Sequence, residues 1–355
     1  MTDAPLLSVR DLVVRFDTEG GEVHAVNGVT LDVRAGETVG LVGESGSGKS
    51  VTSLSIMGLL PRPSGRVVSG EILFDGVDLT HVPERTLRQL RGKDISMVFQ
   101  DPMSSLNPVL SIGEQVAEVV RAHERVSRAA ARQRAVELLQ SVGIPRPAEQ
   151  LGRYPHQFSG GMRQRVMIAM ALALQPRLLI ADEPTTALDV TVQAQVLELL
   201  VELTRDLGTA LLLISHDLGI MARVASRIVV MYAGFVVESA TTRELFARPR
   251  HPYTVGLLNS IPAIQDRGGE LRPIEGAPPD LDRMPVGCSF APRCRWRVEA
   301  CWSVLPPLGP VGIVPAHVAA CHNPVRDDEV IGATPRRPGF VPAPAPPGHA
   351  SEVPA

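Results

Sequence analysis

Two hydrophobic patterns alternate along the chain, one typical of strands and one typical of helices. Apolar and polar residues alternate at 7–16 and 29–33, which predicts strands with one buried face. Unbroken apolar runs at 38–42, 178–181 and 210–214 predict strands that are buried on both faces. These segments therefore predict a sheet in the interior of the protein.

Helical spacing occurs between the predicted strands. Apolar residues recur at intervals of three and four over 112–142, 161–174 and 190–206. Further strands are predicted at 71–74, 95–99, 227–232 and 235–238. Because strands alternate with helices and several strands are wholly apolar, the predicted fold class is α/β, with helices on both faces of the sheet.

Composition narrows the function of this 355-residue chain. A hydrophobic content of 44% predicts a packed core, and a net charge of -3 gives no electrostatic basis for binding nucleic acid. The first residues lack the basic and apolar regions of a signal peptide. No apolar run reaches the length of about 20 residues that a membrane-spanning helix needs. We therefore expect a cytoplasmic protein whose membrane functions depend on partners.

Residues 43–50 form a candidate phosphate loop. They read Gly-Glu-Ser-Gly-Ser-Gly-Lys-Ser, the pattern GxxxxGK followed by Ser or Thr, between a predicted strand and a predicted helix. The glycines let backbone N–H groups face phosphate oxygens, and the following helix adds the positive end of its dipole. A chance glycine-rich turn is the alternative, and the strand and helix on either side argue against it. The predicted nucleotide-binding residues here are Gly43, Glu44, Ser45, Gly46, Ser47, Gly48, Lys49, Ser50 and Val51.

Within this loop, Lys49 is placed to reach the β- and γ-phosphates of ATP, and Ser50 is placed to coordinate Mg²⁺. The apolar run at 178–181 ends in Asp182 and Glu183, at the sheet edge where we expect the loop. Asp182 is suited to hold Mg²⁺ through water, and Glu183 to orient or deprotonate the attacking water. Because strand ends are commonly acidic, this pair alone is weak evidence for a catalytic site. The phosphate loop expected beside it makes the catalytic interpretation stronger.

A third motif is specific to one family. Residues 158–165 read Phe-Ser-Gly-Gly-Met-Arg-Gln-Arg and resemble the LSGGQ signature of ABC ATPases, with Phe for Leu and Met for Gln. An ordinary helix N-cap at Ser159 is the alternative. The sequence contains six motifs in the order and at the distances found in ABC ATPases. They are the phosphate loop, Gln100, the signature, the acidic pair, Asp189 and His216. Residues 6–245 thus resemble an ABC nucleotide-binding domain.

This resemblance implies a fold and a set of roles. The implied fold is an ABC-type P-loop ATPase core with an antiparallel β subdomain and a helical subdomain at about residues 101–175. The implied catalytic residues are Lys49, Glu183 and His216, and Gln100 is implied to sense Mg²⁺. Ser159, Gly160, Gly161 and Met162 would face the γ-phosphate held by the opposite subunit of a head-to-tail dimer, with Asp189 in the D-loop across that interface. Phe16 would stack on adenine, although a place in the core is the alternative.

A narrower resemblance concerns the cargo. Residues 98–108, 158–170 and 251–254 are similar to the ATPases of bacterial oligopeptide and dipeptide importers. This implies a second ATPase subunit, for which the resemblance favours a paralogue over a copy. It also implies two membrane permeases, an extracytoplasmic substrate-binding protein and a peripheral place on the cytoplasmic face of the membrane. We expect residues 101–108 to couple ATP hydrolysis to the permeases. The same family includes importers of nickel, glutathione and oligosaccharides, and a soluble ABC ATPase without a transport role is the more distant alternative.

All four cysteines lie close together in the sequence, at Cys288, Cys294, Cys301 and Cys321. In a cytoplasmic chain such clustering favours metal binding over disulfides. The close pair of most zinc sites is absent, and the spacing also differs from that of common ferredoxins, so zinc, an iron–sulfur cluster and free buried thiols stay open on spacing alone. The sequence around Cys288 and Cys294 resembles the extension of peptide importers, in which four cysteines hold a [4Fe–4S] cluster.

The chain is predicted to have three parts: the nucleotide-binding domain at 1–245, the cysteine-containing extension at 246–330 and a Pro-rich tail at 331–355. The tail lacks apolar periodicity and is predicted to be disordered. Because every predicted catalytic residue lies before residue 217, we expect the ATP site to survive replacement of Cys294 by Ser.

Overall fold

The computed structural model describes residues 4–101, 105–186, 188–260, 274–312 and 314–326, apart from the side chain of Val190. The predicted Pro-rich tail and residues 102–104 of the predicted coupling segment lie outside these ranges.

The strands form an eight-stranded main sheet and a four-stranded antiparallel sheet. In chain order they are β1 (Leu7–Thr18), β2 (Gly21–Val33), β3 (Thr38–Val42), β4 (Gly65–Phe74), β5 (Val77–Asp78), β6 (Ile95–Val98), β7 (Leu178–Asp182), β8 (Ala210–Ser215), β9 (Arg227–Tyr232), β10 (Phe235–Thr241), β11 (Gly309–Pro310) and β12 (Val318–Ala319). The main sheet has the order β11-β12-β10-β9-β3-β8-β7-β6, and the smaller sheet has the order β2-β1-β4-β5.

Helices cover the sheets and build a separate layer. They are α1 (Lys49–Ile56), α2 (Glu84–Leu90), α3 (Ile112–His123), α4 (Arg128–Ser141), α5 (Pro147–Gln150), α6 (Gly160–Leu172), α7 (Val190–Asp206), α8 (Leu218–Val224), α9 (Thr242–Ala247), α10 (Pro252–Asn259) and α11 (Ala300–Ser303). Short 3₁₀ turns lie at Pro155–Gln157 and Ala291–Arg293. Helices α3 to α6 form the predicted helical subdomain.

The central strands β6, β7, β8 and β3 are parallel neighbours, so their carboxyl ends meet at one edge. All five residues of β7 are buried, and alternate residues enter two different cores. Leu179 packs in a core shared with the helical subdomain, whereas Leu178 packs in a core shared with the four-stranded sheet. Burial on both faces explains why these strands are continuously apolar, and it confirms the α/β prediction.

The predicted helix at 112–142 is in fact two helices. α3 ends after His123, and α4 begins after Ser127, whose hydroxyl accepts a hydrogen bond from the amide of Ala130. The apolar spacing continues across the break because both helices pack on the same core. A capping serine within the apolar pattern was the signal for this break.

The C-terminal extension joins the main sheet instead of forming a separate body. β12 pairs with β10 through Glu238 opposite Ala319 and Ser239 opposite Val318. The fully buried carboxylate of Glu238 accepts hydrogen bonds from the amides of Arg250 and His251, at 2.7 and 2.8 Å. Its other neighbour is the ring of His317, with Nε2 at 2.7 Å from a carboxylate oxygen. Extension and core therefore share backbone pairing and buried polar contacts.

Candidate active site

The phosphate loop lies between β3 and α1, as its sequence predicts. A Cβ atom on Gly43 would lie 2.2 Å from the carbonyl oxygen of Met231, and Gly48 has a φ of 97°, a conformation that favours glycine. Lys49 is buried, and its Nζ donates to the carbonyl oxygens of Gly43 and Glu44 at 2.8 and 2.9 Å. The loop thus curls around the lysine ammonium group.

The carboxyl end of β7 lies directly beside this loop. Ser50 donates its hydroxyl to one carboxylate oxygen of Asp182 at 3.0 Å, and Ser53 donates to the other at 3.4 Å. Asp182 is only 5% exposed, and burial raises the pKa of its carboxyl group. The structure therefore unites the predicted Mg²⁺ residues Ser50 and Asp182, and it adds Ser53, which sequence reasoning missed.

Three side chains converge on a single oxygen of Glu183. Thr186 donates its hydroxyl to Oε2 at 2.9 Å, and Gln100 donates its amide to the same atom at 3.3 Å. Nδ1 of His216 lies 3.4 Å from it. These residues follow the ends of three neighbouring strands, β6, β7 and β8. The structure thus brings together Gln100, Glu183 and His216, as predicted, and adds Thr186.

The carboxylates near the phosphate loop affect the pKa of Lys49. Burial lowers the pKa of Lys49, and the charges of Glu183, Asp182 and Glu44 oppose that effect. The lysine therefore sits in a site whose carboxylates favour its charged form. Burial is the main cause of the raised pKa of Asp182, and the charge of Glu183 raises it further. Such a site suits a divalent cation.

The signature segment caps and packs its own helix. The hydroxyl of Ser159 accepts the amide of Met162 at 3.3 Å, so the capping interpretation of Ser159 holds in the single chain. A Cβ atom on Gly161 would lie 2.6 Å from Cγ1 of Val192 in α7, and one on Gly160 would lie 3.2 Å from Leu188. The two glycines therefore let α6 approach the start of α7, which Asp189 caps through the Val192 amide at 3.0 Å.

Phe16 lies in β1 opposite Gly65 of β4 and is partly buried at the edge of a hydrophobic core. A Cβ atom on Gly65 would lie 2.7 Å from its ring. This packing gives the ring a structural reason to be there. Its stacking on adenine stays a prediction.

Two residues of the C-terminal region, Tyr253 and Arg293, contact the phosphate loop. The amide of Glu44 donates to the hydroxyl of Tyr253 at 2.8 Å. The carboxylate of Glu44 receives both terminal nitrogens of Arg293, at 2.8 and 3.1 Å. Arg293 is 249 residues from Glu44 in the sequence, so no local signal could have revealed the contact.

All four cysteines are free thiols that share one region. The amide of Cys288 donates to the carbonyl oxygen of Cys301 at 2.8 Å. Burial raises the pKa of Cys294, and the neighbouring thiols of Cys321, Cys288 and Cys301 raise it further. Burial likewise raises the pKa of Cys321 to about 12. The tertiary structure thus brings together cysteines that are up to 33 residues apart in the sequence.

Backbone amides surround these sulfur atoms. The amide of Val298 donates to Sγ of Cys301 at 3.5 Å. The backbone amides of Phe290 and Ala291 at Cys288, of Trp296 at Cys294 and of Asn323 at Cys321 partly offset the effect of burial, which raises the pKa of each thiol. Within the ranges that the structure describes, no three or more His, Cys, Asp or Glu side chains are grouped so that they could hold a metal ion. The four thiols therefore share a region without closing on a single point.

Two histidines of this region, His317 and His322, could serve as further metal ligands, but each has another partner. Nε2 of His317 lies against Glu238, and Nε2 of His322 lies 2.9 Å from the carbonyl oxygen of Val304. Each imidazole thus has one nitrogen engaged outside the cysteine group.

Comparison with known proteins first defines the class. Residues 26–186 match the ABC transporter family. The dimeric structure of a post-hydrolysis state of an ATP-binding cassette bound to ADP and Pi matches with a TM-score of 0.60 at 28% identity, covering 67% of this chain and 99% of that chain. The chain belongs to the ABC transporter ATPases and is an ATPase, as the motifs predicted. An enzyme of this class works with membrane permease subunits.

The narrower family follows from longer matches. Residues 237–301 match the C-terminal region of oligopeptide/dipeptide transporters. The chain is 54% identical over 304 residues to the oligopeptide transport ATP-binding protein OppD of Bacillus subtilis, covering 85% of each chain. It is 54% identical over 301 residues to the dipeptide transport ATP-binding protein DppD of the same organism, covering 85% of this chain and 90% of that one. The chain belongs to this family of transport ATP-binding proteins.

A search for membrane spans gives one further finding. None of the helices in the described part of the chain is both long and apolar enough to cross a membrane.

Proposed function

We propose that this ATPase powers the import of di- and oligopeptides through a membrane transporter. The proposal is supported above all by residues 237–301, which match the C-terminal region of oligopeptide/dipeptide transporters. That region contacts the phosphate loop through Tyr253 and Arg293, so it is part of the working ATPase.

The site residues have the following proposed roles. The loop amides at 43–50 and Lys49 bind the phosphates of ATP, for which Lys49 leaves the carbonyl oxygens that it now contacts. Ser50, Gln100 and Asp182 would hold Mg²⁺, which would offset the added negative charge of the triphosphate. Glu183 orients or deprotonates the attacking water, and His216, whose Nδ1 lies 3.4 Å from the Glu183 carboxylate, would contact the γ-phosphate.

Three side chains hold the Glu183 carboxylate in a defined geometry. Thr186, Gln100 and His216 fix one carboxylate oxygen, which leaves Oε1 to face a water molecule. The φ of Glu183 is 44°, an unusual value for a residue other than glycine. Preorganisation of this kind lowers the reorganisation needed when charge develops during hydrolysis.

The proposed assembly has two ATPase subunits, the second a paralogue, with Ser159, Gly160 and Gly161 of one subunit facing the nucleotide of the other. Two permeases and an extracytoplasmic substrate-binding protein complete it, and the ATPase lies peripherally on the cytoplasmic face of the membrane. Ser159 is exposed and Gly160 is partly exposed at the start of α6, which leaves them accessible for such a contact.

The experiment measures peptide uptake and ATP turnover by the complete transporter in vesicles. Glu183→Gln should bind ATP but lower turnover by a factor of about one hundred or more. Glu202→Gln removes an exposed carboxylate from α7 and should leave both readouts unchanged. Near-normal turnover by Glu183→Gln would refute its role. Uptake of nickel, glutathione or an oligosaccharide in place of peptides would refute the cargo and leave the ATPase assignment standing.

We also propose that Cys288, Cys294, Cys301 and Cys321 hold a [4Fe–4S] cluster. Four thiolates are its ligand set, and one thiol binds each iron, so the sulfur atoms do not need to meet at one point. The amide of Val298 donates to Sγ of Cys301, and backbone amides lower the pKa of the other three thiols against the effect of burial, so the backbone favours thiolates. Three side-chain donors near the cysteines are buried without a hydrogen-bond partner among the described residues: Oγ of Ser289, Nε1 of Trp296 and Nε of Arg297. These groups fit a sulfide-rich neighbour, and such a cluster would crosslink the extension.

Anaerobic purification tests the cluster. The protein should absorb broadly in the visible range and contain about four irons per chain. Cys294→Ser should remove the colour and increase protease cleavage of residues 285–325, whereas Ser303→Ala, an exposed change in the same segment, should do neither. Stoichiometric zinc without visible absorption, in protein never exposed to air, would refute the cluster.

A further inference from the structure

The amide and the side-chain carboxylate of Glu44, the second residue of the phosphate loop, are both bound by residues outside the loop. Its amide is bound by the hydroxyl of Tyr253 at 2.8 Å, and its carboxylate is bound by the guanidinium of Arg293 at 2.8 and 3.1 Å. Both partners come from the C-terminal region. The loop residue directly after Gly43 is therefore held by a different part of the chain.

Arg293 is itself fixed at every donor. Nε donates to the carbonyl oxygen of Glu275 at 3.1 Å, one terminal nitrogen also donates to Tyr232, and the other also donates to Ile274. Together with the two bonds to Glu44, these contacts occupy all five N–H groups of a guanidinium. The side chain is 5% exposed, whereas that of Glu44 is 27% exposed. Arg293 cannot follow a moving loop without breaking several bonds.

The position of Arg293 is set by the cysteine region. It ends the 3₁₀ turn Ala291–Arg293 and directly precedes Cys294. Its guanidinium carbon lies 5.8 Å from the ring centre of Tyr232 and 5.9 Å from that of Phe290. Phe290 also packs edge-on against Tyr253, with ring centres 5.4 Å apart. The two groups that hold Glu44 thus belong to one packed unit.

We propose that Arg293 is a positioning residue of the ATPase, through which the C-terminal extension holds the phosphate loop in its binding shape and sets the affinity for ATP. The ion pair fixes the Glu44 side chain, and Tyr253 fixes its amide, so the carbonyl groups and amides next in the loop have fewer conformations to lose on binding. A bidentate arginine–carboxylate pair supplies the direction that a single contact lacks. This inference rests on the proposed phosphate-binding role of residues 43–50.

The test measures the Kd of a non-hydrolysable ATP analogue with Mg²⁺ on the full chain in the complete transporter. Arg293→Gln should raise Kd by about tenfold, a usual size for coupling between sites. Arg293→Lys keeps the charge but loses the two-pronged geometry, so its Kd should lie between those of wild type and Arg293→Gln. Arg295→Gln removes a neighbouring charge whose partner is Glu275 at 3.2 Å, and it should leave Kd unchanged.

Glu44→Gln approaches the same pair from the loop and leaves the packing of the extension intact. If Arg293 acts through Glu44, the variant that carries both Arg293→Gln and Glu44→Gln should bind the ATP analogue no more weakly than whichever single variant binds it less tightly. Steady-state assays should show a raised KM for ATP with kcat largely kept. A residue that merely stabilises the fold would instead lower the active fraction, and hence kcat, with Kd unchanged.

Two outcomes would overturn the inference. One is wild-type Kd in both Arg293→Gln and Glu44→Gln, and the other is independent effects that multiply in the double variant. Lys49→Ala separates this failure from failure of the proposed function. If Lys49→Ala binds the analogue as wild type does, residues 43–50 are not the phosphate site. If it abolishes binding while the other variants bind normally, only the role of Arg293 is refuted.

Discussion

Single residues in this protein are constrained by contacts that their sequence neighbours do not reveal. Glu183 has a φ of 44°, and one of its oxygens has three side-chain partners. Such a backbone conformation costs of order 1–3 kcal/mol for a residue other than glycine. The sequence predicts only that the Glu183 carboxylate lies near the phosphate loop. The residues at the surrounding strand ends fix its orientation.

His251 is a second constrained residue, and it predicts a pH dependence of stability. It is 1% exposed, and its Nδ1 accepts the amide of Tyr253 at 3.1 Å at the start of α10. Burial lowers the pKa of His251 to about 4, against the opposing charge of Glu238. The ring must stay neutral, because a protonated Nδ1 would place a donor against a donor.

In the folded chain the pKa of His251 lies below its ordinary value. As the pH falls, His251 is therefore protonated in the unfolded chain before it is protonated in the folded chain. The contribution of neutral His251 to the free energy of unfolding is therefore fully present above about pH 6.5. It is lost as the pH falls toward 4, by up to about 3 kcal/mol. His251→Asn keeps an acceptor for the Tyr253 amide and should lose this dependence. Urea unfolding of both proteins at pH 7 and pH 5 measures it. Equal pH slopes in the two proteins would contradict the prediction.

At the scale of elements, the signature glycines set the distance between two helices. A Cβ atom on Gly161 would lie 2.6 Å from Cγ1 of Val192, so α6 and α7 have no room for a side chain there. This structural requirement exists in the single chain, beside any contact of the segment with a nucleotide. The two roles can be separated by measuring stability instead of activity.

Gly161→Ala should lower the free energy of unfolding by about 1–3 kcal/mol, because the methyl group forces α6 and α7 apart. Adding Val192→Ala removes the opposing methyl group and should recover most of the loss. Gly152→Ala is the matched control, since a Cβ atom there would meet nothing within 4 Å. An unchanged stability in Gly161→Ala would show that the helices yield without cost.

The segment after Gln100 carries the element-scale prediction about coupling. Asn107 is bound to Gln115 of α3 through two hydrogen bonds, at 2.8 and 3.0 Å, while Val109 is 76% exposed. An anchored segment with an exposed apolar tip suits a contact with a permease. Residues 102–104 of this segment lie outside the described ranges.

Ser105→Arg places a bulky charge in the segment and should reduce transport by the complete transporter more than it reduces ATP binding. Ser105 donates its hydroxyl to the carbonyl oxygen of Asp101 at 2.8 Å, so Ser105→Ala controls for loss of that bond. Weakened ATP binding with normal transport would place the segment in the nucleotide site and contradict a coupling role.

At the scale of the whole molecule, the extension completes the ATPase core. It adds β12 to the edge of the main sheet, supplies three partners to buried Glu238 and packs Phe290 against Tyr232 with ring centres 5.2 Å apart. A chain that ends at residue 245 would leave the Glu238 carboxylate buried without these partners, which is costly.

We therefore expect the fragment 1–245 to unfold at a clearly lower temperature than the full chain, or to aggregate. The fragment 1–326 keeps every described contact and should match the full chain. Thermal unfolding monitored by circular dichroism compares the three proteins. Equal unfolding temperatures for 1–245 and 1–326 would show that the nucleotide-binding domain is independent of the extension.

Local signals in the sequence were enough for the class of protein. The glycine-rich loop between β3 and α1, the apolar strand ending at Asp182 and the serine-capped helix after Ser159 are each encoded within a few residues. Strand and helix periods follow from local backbone geometry, and so do the conformations that glycine permits. These features also placed the predicted Mg²⁺ and water-orienting residues at one sheet edge.

Only the tertiary structure decided how distant segments meet. In the folded chain, Thr186, Gln100 and His216 contact one oxygen of Glu183. The predicted helix at 112–142 is interrupted before Ser127, and a strand of the extension pairs with the main sheet. Above all, the tertiary structure joined Arg293 to Glu44 across 249 residues. Contacts of this kind depend on strand order and on the packing of whole elements, for which a linear pattern of hydrophobic and polar residues carries no direct signal.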